Sequence, residues 1–214
     1  NIAQKPRLVV GISGASGAIY TERVFFHLRD WVGDLIVTSS RTGQEIIRDE
    51  RGLGLPNKEG EITGLLEEWL HLEPGSYQPR VVFYPHWYVG APIASGSFRT
   101  MGMMVIPGSM AKVAALAVGQ SRDLLERAAD VILKEGRPLV IVPRETPLSA
   151  IHLENMLKLA RLGVKVVPAM PGFYHNPQSI EDIAGFVAAR ALQALGLDLS
   201  IAKEWQGQIG IDES

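Results

Sequence analysis

Gly11, Gly14 and Gly17 recur at every third position where a β-branched run gives way to a helical pattern near the start of the chain. Glycine has no Cβ atom, so a ligand can approach its backbone closely. The helix that follows presents free N–H groups and the positive end of its dipole. This join therefore predicts an anion site of the kind that binds a nucleotide phosphate. An ordinary tight turn into a helix is the alternative.

The spacing of these glycines matches neither G-x-G-x-x-G nor G-x-x-x-x-G-K-[ST], the two common phosphate-binding fingerprints. A dinucleotide site also needs an acidic residue about 20 positions further on, at the end of the second strand, to bind a ribose hydroxyl. That strand ends instead in Ser39, Ser40 and Arg41. Hydroxyls and a cation suit a mononucleotide phosphate or a polyol chain, so the pattern favours FMN.

Polar side chains also follow the later apolar runs that are predicted to be strands. Ligands of open parallel sheets bind beyond the carboxyl ends of the strands, so these residues are expected to share one edge. Arg144 and Glu145 stand between two prolines that stiffen the backbone. The arginine can clamp a phosphate and the carboxylate can orient a substrate or move a proton; a surface salt bridge is the alternative. The strand-end residues are Ser13, Ser16, Ser39, Arg41, Ser109, Arg144, Glu145, Tyr174 and His175.

Three polar residues at or within predicted helices allow both a structural and a functional interpretation. Ser109 opens a helix, and an N-cap serine can also bind phosphate. Lys134 ends its helix, where the dipole favours a cation for structural reasons. Arg190 is flanked by small apolar residues, which predicts a partly buried arginine with an anionic partner; a side chain on the rim is the alternative. The histidines lack ligand spacing, so no zinc site is expected.

Short apolar runs alternate with helical patterns, which predicts an α/β fold: a single flavodoxin- or Rossmann-like domain over residues 1–214, with a doubly wound parallel sheet and helices on both faces. Segment 52–92 is expected to be an irregular excursion, and residues 196–214 a tail that contacts a neighbouring subunit through Trp205. The strands are predicted at Leu8–Ile12, Leu35–Thr38, Val81–Tyr84, Met103–Ile106, Leu139–Val142 and Val164–Val167. The helices are predicted at Ala18–Trp31, Gly43–Arg51, Ile62–Leu70, Met110–Val118, Ser121–Lys134, Ala150–Leu162 and Ile180–Leu195.

Composition narrows the class of partner. The 214 residues carry a formal net charge of −2, so no basic field points to nucleic acid or an anionic membrane surface. No apolar run is long enough to span a membrane, and no secretory signal is seen, which favours a cytoplasmic protein. The absence of cysteine excludes disulfides, thiolate metal sites and a cysteine nucleophile within this sequence. No G-x-S-x-G elbow appears in a suitable context, so hydrolase chemistry is disfavoured.

Five blocks of sequence resemble the UbiX-type flavin prenyltransferases, a family once called aromatic acid decarboxylases. The blocks occur in the family's order and span nearly the whole chain. The resemblance implies a metal-independent transferase that joins the dimethylallyl group of dimethylallyl phosphate to N5 and C6 of reduced FMN. The prenylated FMN would serve a UbiD-type decarboxylase, and the enzyme would form a dodecamer with sites at subunit contacts. The blocks are Gly11–Tyr20, Ala94–Phe98, Glu126–Glu135, Arg137–Leu148 and Pro171–His175.

The resemblance also assigns roles to residues of this sequence. The catalytic residues would be Ser16, Glu145 and Lys134, of which Ser16 and Glu145 would lie beside the reacting flavin. The residues that bind the prenyl phosphate would be Tyr174, Arg190, Lys134 and Glu50. The cationic and donor groups would stabilise the leaving phosphate, and Glu145 or the released phosphate would take the ring proton. FMN contacts would come from Gly14, Ala15, Ser16, Ser39, Ser109, Met110, Ala111, Lys112 and Arg144.

Some positions leave alternatives open. The family glutamate that meets the substrate phosphate could be Asp49 or Glu50, and Lys112 replaces a hydroxyl residue of the relatives. Trp87 corresponds to an active-site tryptophan within a tract that otherwise matches poorly. The choice between monophosphate and diphosphate donor stays open. The alternatives for function are a non-catalytic flavin-binding or regulatory protein, and a flavin-dependent decarboxylase of the same fold, although such enzymes rely on a cysteine.

Overall fold

A seven-stranded sheet forms the centre of the protein. A computed structural model describes residues 5–199, so Trp205 and the predicted tail from residue 200 onward lie outside the described residues. The strands are β1 (Arg7–Ile12), β2 (Asp34–Ser39), β3 (Gly60–Glu61), β4 (Arg80–Tyr84), β5 (Gly102–Gly108), β6 (Leu139–Pro143) and β7 (Lys165–Val166).

The strand order is β3-β4-β2-β1-β5-β6-β7. All neighbouring pairs are parallel except β3 with β4. The six predicted strands and the parallel α/β fold are confirmed. The antiparallel β3 was not predicted, because two residues are too short to show a period of two. Segment 52–92 thus supplies an edge of the sheet, besides irregular loops.

All seven predicted helices are present. They are α1 (Ala18–His27), α2 (Arg41–Arg51), α3 (Thr63–Trp69), α4 (Met110–Ala117), α5 (Leu124–Lys134), α6 (Ala150–Arg161) and α7 (Ile180–Ala194), with a short 3-10 helix at Pro92–Ala94. The predicted start of α5 at Ser121 is wrong, because the side chain of Asp123 accepts the N–H of Glu126 and fixes the helix start at Leu124. Helix α1 ends at His27, four residues before its predicted end.

Alternate residues of the central strands face two separate apolar cores. On β1, Leu8, Val10 and Ile12 pack with α1, α2 and α7 on one face, whereas Val9 packs with α4 and α5 on the other. This alternation follows from the period of two in a strand. Helices therefore cover both faces, as predicted.

The strand order reverses at β1, which lies between β2 and β5. The loops that follow β1 and β5 therefore part to opposite faces and open a crevice at the carboxyl edge of the sheet. Within residues 5–199, no helix is long and apolar enough to cross a membrane.

Candidate functional site

Ser13 joins the two loops that border the crevice. Its buried hydroxyl donates to the carbonyl of Pro107 at 2.6 Å and accepts the N–H of Ser109 at 2.7 Å. The end of β1 is thereby fixed to the loop between β5 and α4. These two bonds hold the first turn of α4 at the carboxyl edge.

The N-terminus of α4 is a candidate anion-binding element of this edge. The Ser109 hydroxyl accepts the N–H of Lys112 at 3.2 Å, which confirms its N-cap role. The N–H groups of Met110 and Ala111, the first two helical residues, have no partner within the helix. At Gly108 a Cβ atom would lie 2.8 Å from Ile141, so glycine lets the loop pack closely on β6. Helix α4 thus presents free donors and its positive dipole end to the crevice.

The first N–H groups at the N-terminus of α1 are bound by a side chain of the protein. The Glu50 carboxylate, at the end of α2, accepts the N–H groups of Gly17 and Ala18 at 2.9 Å each. The expectation of unpaired N–H groups at this join does not hold for Gly17 and Ala18, because a protein carboxylate already accepts both. Asp49 instead pairs with its neighbour Arg48 at 3.0 Å in solvent. Of the two acids left open by the sequence, Glu50 reaches the site.

Glu50 is held as an anion by its surroundings. Partial burial opposes ionisation, but hydrogen bonds from the Ser16 hydroxyl and from the Gly17 and Ala18 N–H groups outweigh it, and the Arg144 charge adds to them. The pKa of Glu50 is therefore lowered from 4.5. Ser16, Glu50 and Arg144 thus form one electrostatic group, assembled from the loops after β1 and β6 and from α2.

The loop after β2 contributes two buried serines. Ser40 caps α2 by accepting the N–H of Gly43 at 3.0 Å, whereas the neighbouring Ser39 hydroxyl has no hydrogen-bond partner among residues 5–199. A buried hydroxyl without a partner calls for an explanation, and at this edge of the sheet a ligand contact would provide one. Gly14 lies against this loop, and a Cβ atom there would collide with the Thr42 side chain.

Arg144 and Glu145 are both exposed in the loop after β6. Neither forms an ion pair with another residue of the described part of the chain, so the predicted alternative of a neighbouring salt bridge does not hold. The Arg144 backbone N–H donates to the Gly108 carbonyl at 3.2 Å, and the Glu145 carboxylate accepts the Thr146 N–H at 2.9 Å. Both side chains remain available to a ligand.

Lys112 directs its charge away from the crevice. Its ammonium group donates to Asp123 at 2.6 Å and to Glu126 at 2.7 Å, and only 12% of the side chain is exposed. The expected FMN contact is therefore limited to the backbone of this residue. Sequence reasoning did not single out the two acids, although the D-x-x-E pattern of residues 123–126 is a capping signature that could have found them.

Lys134 lies at the amino-terminal ends of the parallel strands, opposite to the carboxyl ends where Arg144 lies. Lys134 is the last residue of α5, just before β6 begins, whereas Arg144 follows the end of β6. Five strand residues separate the two edges by roughly 15 Å. Its ammonium group donates to the adjacent Glu135 at 2.7 Å. One chain therefore does not bring Lys134 to the crevice, in contrast to its expected catalytic role there.

Arg190 also lies away from the crevice, whereas Tyr174 lies in the loop between β7 and α7. Arg190 is exposed and donates to the neutral Gln193 side chain at 2.7 Å, so the prediction of a partly buried arginine with an anionic partner is wrong. It is ten residues into α7, about 15 Å from the helix start at the carboxyl edge. Tyr174 lines a cavity of about 480 Å³ together with Phe186, and its ring meets that phenyl ring edge-on at 5.7 Å.

Trp87 follows β4 at the carboxyl edge and has 57% of its surface exposed. It contacts Tyr88, with ring centroids 6.1 Å apart. The Trp87 side chain would have to change its position to cover a flat ligand bound in the crevice. Across residues 5–199, no cluster of three or more histidine, aspartate or glutamate side chains has a metal-binding arrangement.

The crevice fits a flavin phosphate by its donor set. Free N–H groups of α4, the unpartnered Ser39 hydroxyl and Arg144 all follow strands at this edge, and Gly14 and Gly108 keep the backbone close. Ala15 lies between Gly14 and Ser16 in the same loop and is buried. These groups come from the loops after β1, β2, β5 and β6.

Comparison with known proteins agrees with this geometry. The family model described as Flavoprotein matches residues 2–192. The Flavin prenyltransferase UbiX of Synechocystis sp. is 48% identical over 94% of this chain and 96% of its own length. The Flavin prenyltransferase UbiX of Pseudomonas aeruginosa is 43% identical over 94% of this chain and 95% of its own length.

Solved structures show the same relationship. AnUbiX (PadA1), crystallised with FMN and dimethylallyl pyrophosphate, superposes with a TM-score of 0.81 at 34% identity, over 95% of this chain and 99% of that one. A dodecameric FMN-dependent UbiX-like decarboxylase from Escherichia coli O157:H7 superposes with a TM-score of 0.78 at 40% identity, over 94% of this chain and 100% of that one. The chain therefore belongs to the flavoprotein family and, within it, to the UbiX flavin prenyltransferases.

Proposed function

We propose that this protein transfers the dimethylallyl group of dimethylallyl phosphate to N5 and C6 of reduced FMN, and that the prenylated FMN serves a UbiD-type decarboxylase. The observation that carries the proposal is the group of Ser16, Glu50 and Arg144 next to the free N–H groups of α4. That arrangement suits a bound flavin phosphate with an ionised carboxylate and a cation beside it. The FMN and dimethylallyl pyrophosphate bound to AnUbiX support the pair of substrates.

FMN would be held at the carboxyl edge. The N–H groups of Met110 and Ala111 would bind its phosphate, with Ser39 and Arg144 as further donors. Gly14, Ala15 and Ser16 would line the flavin, since their loop borders the same crevice. The backbone of Ser109 and Lys112 would form the rest of the first turn of α4 around the phosphate. When bound and reduced, the flavin supplies the nucleophilic nitrogen and ring carbon of the reaction.

The residues of this chain would act on the leaving phosphate and on the ring proton. Arg144 has no protein anion within ion-pair distance among the described residues, so its charge is free to stabilise a negative group as the allyl C–O bond breaks. Glu145, or the released phosphate, would accept the proton lost from the ring carbon. An apolar cover is required because water would capture an allyl cation.

Three of the residues assigned by resemblance would act from neighbouring copies. Lys134 and Arg190 lie away from the carboxyl edge of their own chain, and Tyr174 is exposed beside a separate cavity, so all three positions suit contributions across subunit contacts. The dodecameric Escherichia coli relative supports such an assembly. A dodecamer in the cytoplasm is accordingly part of the proposal.

The test is anaerobic incubation of the purified protein with FMN, dithionite and dimethylallyl phosphate, followed by mass spectrometry of the extracted flavin. A flavin heavier by one prenyl unit is the expected result, and a parallel reaction with the diphosphate identifies the donor. The Arg144→Ala variant should lose product formation, whereas Arg48→Ala, an exposed arginine paired with Asp49, should retain it. Unmodified FMN with both donors would overturn the proposal in favour of a flavin-binding or regulatory role. Release of carbon dioxide from an aromatic acid without added prenylated flavin would instead favour a decarboxylase.

A further inference from the structure

Lys112 lies in the first turn of α4, the turn that borders the proposed flavin phosphate. Its backbone N–H is bound by Ser109 on the crevice side, whereas its side chain runs the opposite way to the N-terminus of α5. The residue therefore connects the beginnings of two helices. Because α4 has only eight residues, its first turn has little helix behind it to fix its direction.

The carboxylates that receive Lys112 are themselves fixed. Glu126 is fully buried, and its carboxylate also accepts the Arg122 backbone N–H at 2.8 Å. Asp123 caps α5 by accepting the Glu126 N–H at 2.8 Å. The Arg122 guanidinium group completes the set at 3.2 Å from Glu126. Two cations and two anions thus form a neutral cluster in which Lys112 is the sole member from α4.

The ionisation of Glu126 is consistent with this cluster. Burial opposes its charge, but hydrogen bonds from Arg122 and Lys112 outweigh burial and lower its pKa to about 2. Glu126 therefore stays charged at every pH at which the protein is expected to work. Lys112 therefore faces a charged carboxylate throughout that range.

On the other side, Ser13 binds the backbone N–H of Ser109. The first turn of α4 is thus held from β1 through Ser13 and from α5 through Lys112. The Ser109 N–H is already used in this bond, which leaves the N–H groups of Met110 and Ala111 as the phosphate donors. The direction of those two groups depends on both attachments.

We propose that Lys112 is a positioning residue, which aims the N-terminus of α4 at the FMN phosphate by binding Asp123 and Glu126 rather than by touching the flavin. The inference rests on the proposed function, since it presumes that the α4 N-terminus binds this phosphate. It assigns Lys112 an effect on the phosphate end of the ligand alone. The contacts of the isoalloxazine ring should not change when Lys112 is replaced.

The test compares the affinity of each variant for FMN and for riboflavin, which lacks the phosphate, by quenching of flavin fluorescence. Lys112→Met should weaken FMN binding by about tenfold, equivalent to one charge-assisted hydrogen bond, and leave riboflavin binding nearly unchanged. Lys112→Arg, which keeps the charge and can reach the same acids, should restore most of the preference for FMN. Lys158→Met, on exposed α6, is the matched control and should behave as the wild type.

Lys112→Met leaves a buried carboxylate with one partner fewer, so its fold must be checked by circular dichroism. The double variant Lys112→Met with Glu126→Gln removes both charges and should fold, yet it should still show the selective loss of FMN affinity. Equal loss of FMN and riboflavin binding, or an unchanged preference in the folded variants, would overturn the inference. Neither result would contradict the proposed function, which fails only if the wild-type protein forms no prenylated flavin.

Discussion

Glu50 and Gly17 are joined by a 2.9 Å hydrogen bond in which the Gly17 backbone N–H donates to the Glu50 carboxylate. A second bond from Ala18 reaches the same oxygen. The carboxylate thus caps α1 from a different helix and keeps an anion next to Ser16. The same carboxylate therefore stabilises the start of α1 and belongs to the proposed reaction site.

Replacement of Glu50 should affect both stability and turnover. Glu50→Ala removes a helix cap, which costs about 1 kcal/mol of unfolding free energy. The loss of charge beside Arg144 should also lower prenyl transfer by about tenfold or more. Denaturant titration and the mass-spectrometric assay measure the two effects. Asp49→Asn is the control: its side chain is exposed and, among residues 5–199, pairs only with Arg48, so both quantities should stay at wild-type values.

Adjacent serines at the end of β2 should respond in opposite ways to substitution. Ser40→Ala removes the cap of α2 and should lower stability by about 1 kcal/mol without ligand. Ser39→Ala removes a buried hydroxyl that has no partner within residues 5–199, so the ligand-free protein should be as stable or more stable. With FMN added, the rise in Tm should be smaller for Ser39→Ala than for the wild type. An equal rise in Tm would remove Ser39 from the flavin site.

Gly14 should not tolerate even a methyl group. A Cβ atom there would meet the Cβ and Oγ1 atoms of Thr42, so Gly14→Ala should cost about 1–3 kcal/mol or displace the loop and weaken FMN binding. Gly54→Ala is the matched control, because a Cβ atom at Gly54 would have no neighbour within 4 Å. Its stability should stay within about 0.5 kcal/mol of the wild type. Thermal unfolding and flavin titration distinguish the two.

His27 should make stability depend on pH near neutrality. Burial lowers its pKa from 6.5, and the charges of Arg23 and Arg29 lower it further, against the opposing bond to the Gly185 carbonyl. The unfolded chain therefore takes up a proton first, so stability is lost as the pH falls from about 6.5 through the lower folded pKa. The slope from this one group is at most about 1.4 kcal/mol per pH unit.

His27→Gln keeps a donor for Gly185 but cannot titrate. Its unfolding free energy should fall less steeply than that of the wild type between pH 7 and the lower pKa of the folded histidine. Parallel curves for the two proteins would show that His27 titrates alike in the folded and unfolded states. Chemical denaturation at a series of pH values gives both curves.

The apolar spacing of the sequence predicted all seven helices, and four of them begin, in the structure, directly after a serine cap. Ser40, Ser109, Ser149 and Ser179 each accept an N–H in the first turn of the helix that follows. It could not predict that Glu50 fills the α1 N-terminus, since 33 residues separate it from Gly17. Such a contact depends on how two helices pack, which local patterns do not encode.

The catalytic assignments were the least predictable part. The resemblance assigns roles to residues from their positions in the sequence. Arg144 and Glu145 follow a strand at the crevice, as expected. Lys134 matches its motif equally well, yet the fold puts it at the far edge of the sheet. A motif identifies residues that resemble those of a family, and it carries no information on whether they come together within one copy of the chain.

The separation of Lys134 from Arg144 across the sheet has a consequence for how the protein is used. Under the proposed function, an isolated copy binds flavin but lacks part of its phosphate-stabilising charge. Turnover should then rise more steeply than linearly with protein concentration wherever the assembly dissociates, while the flavin bound per chain stays constant. Two chains that are inactive for different reasons, one altered at Lys134 and the other at Arg144, should recover activity when they assemble together.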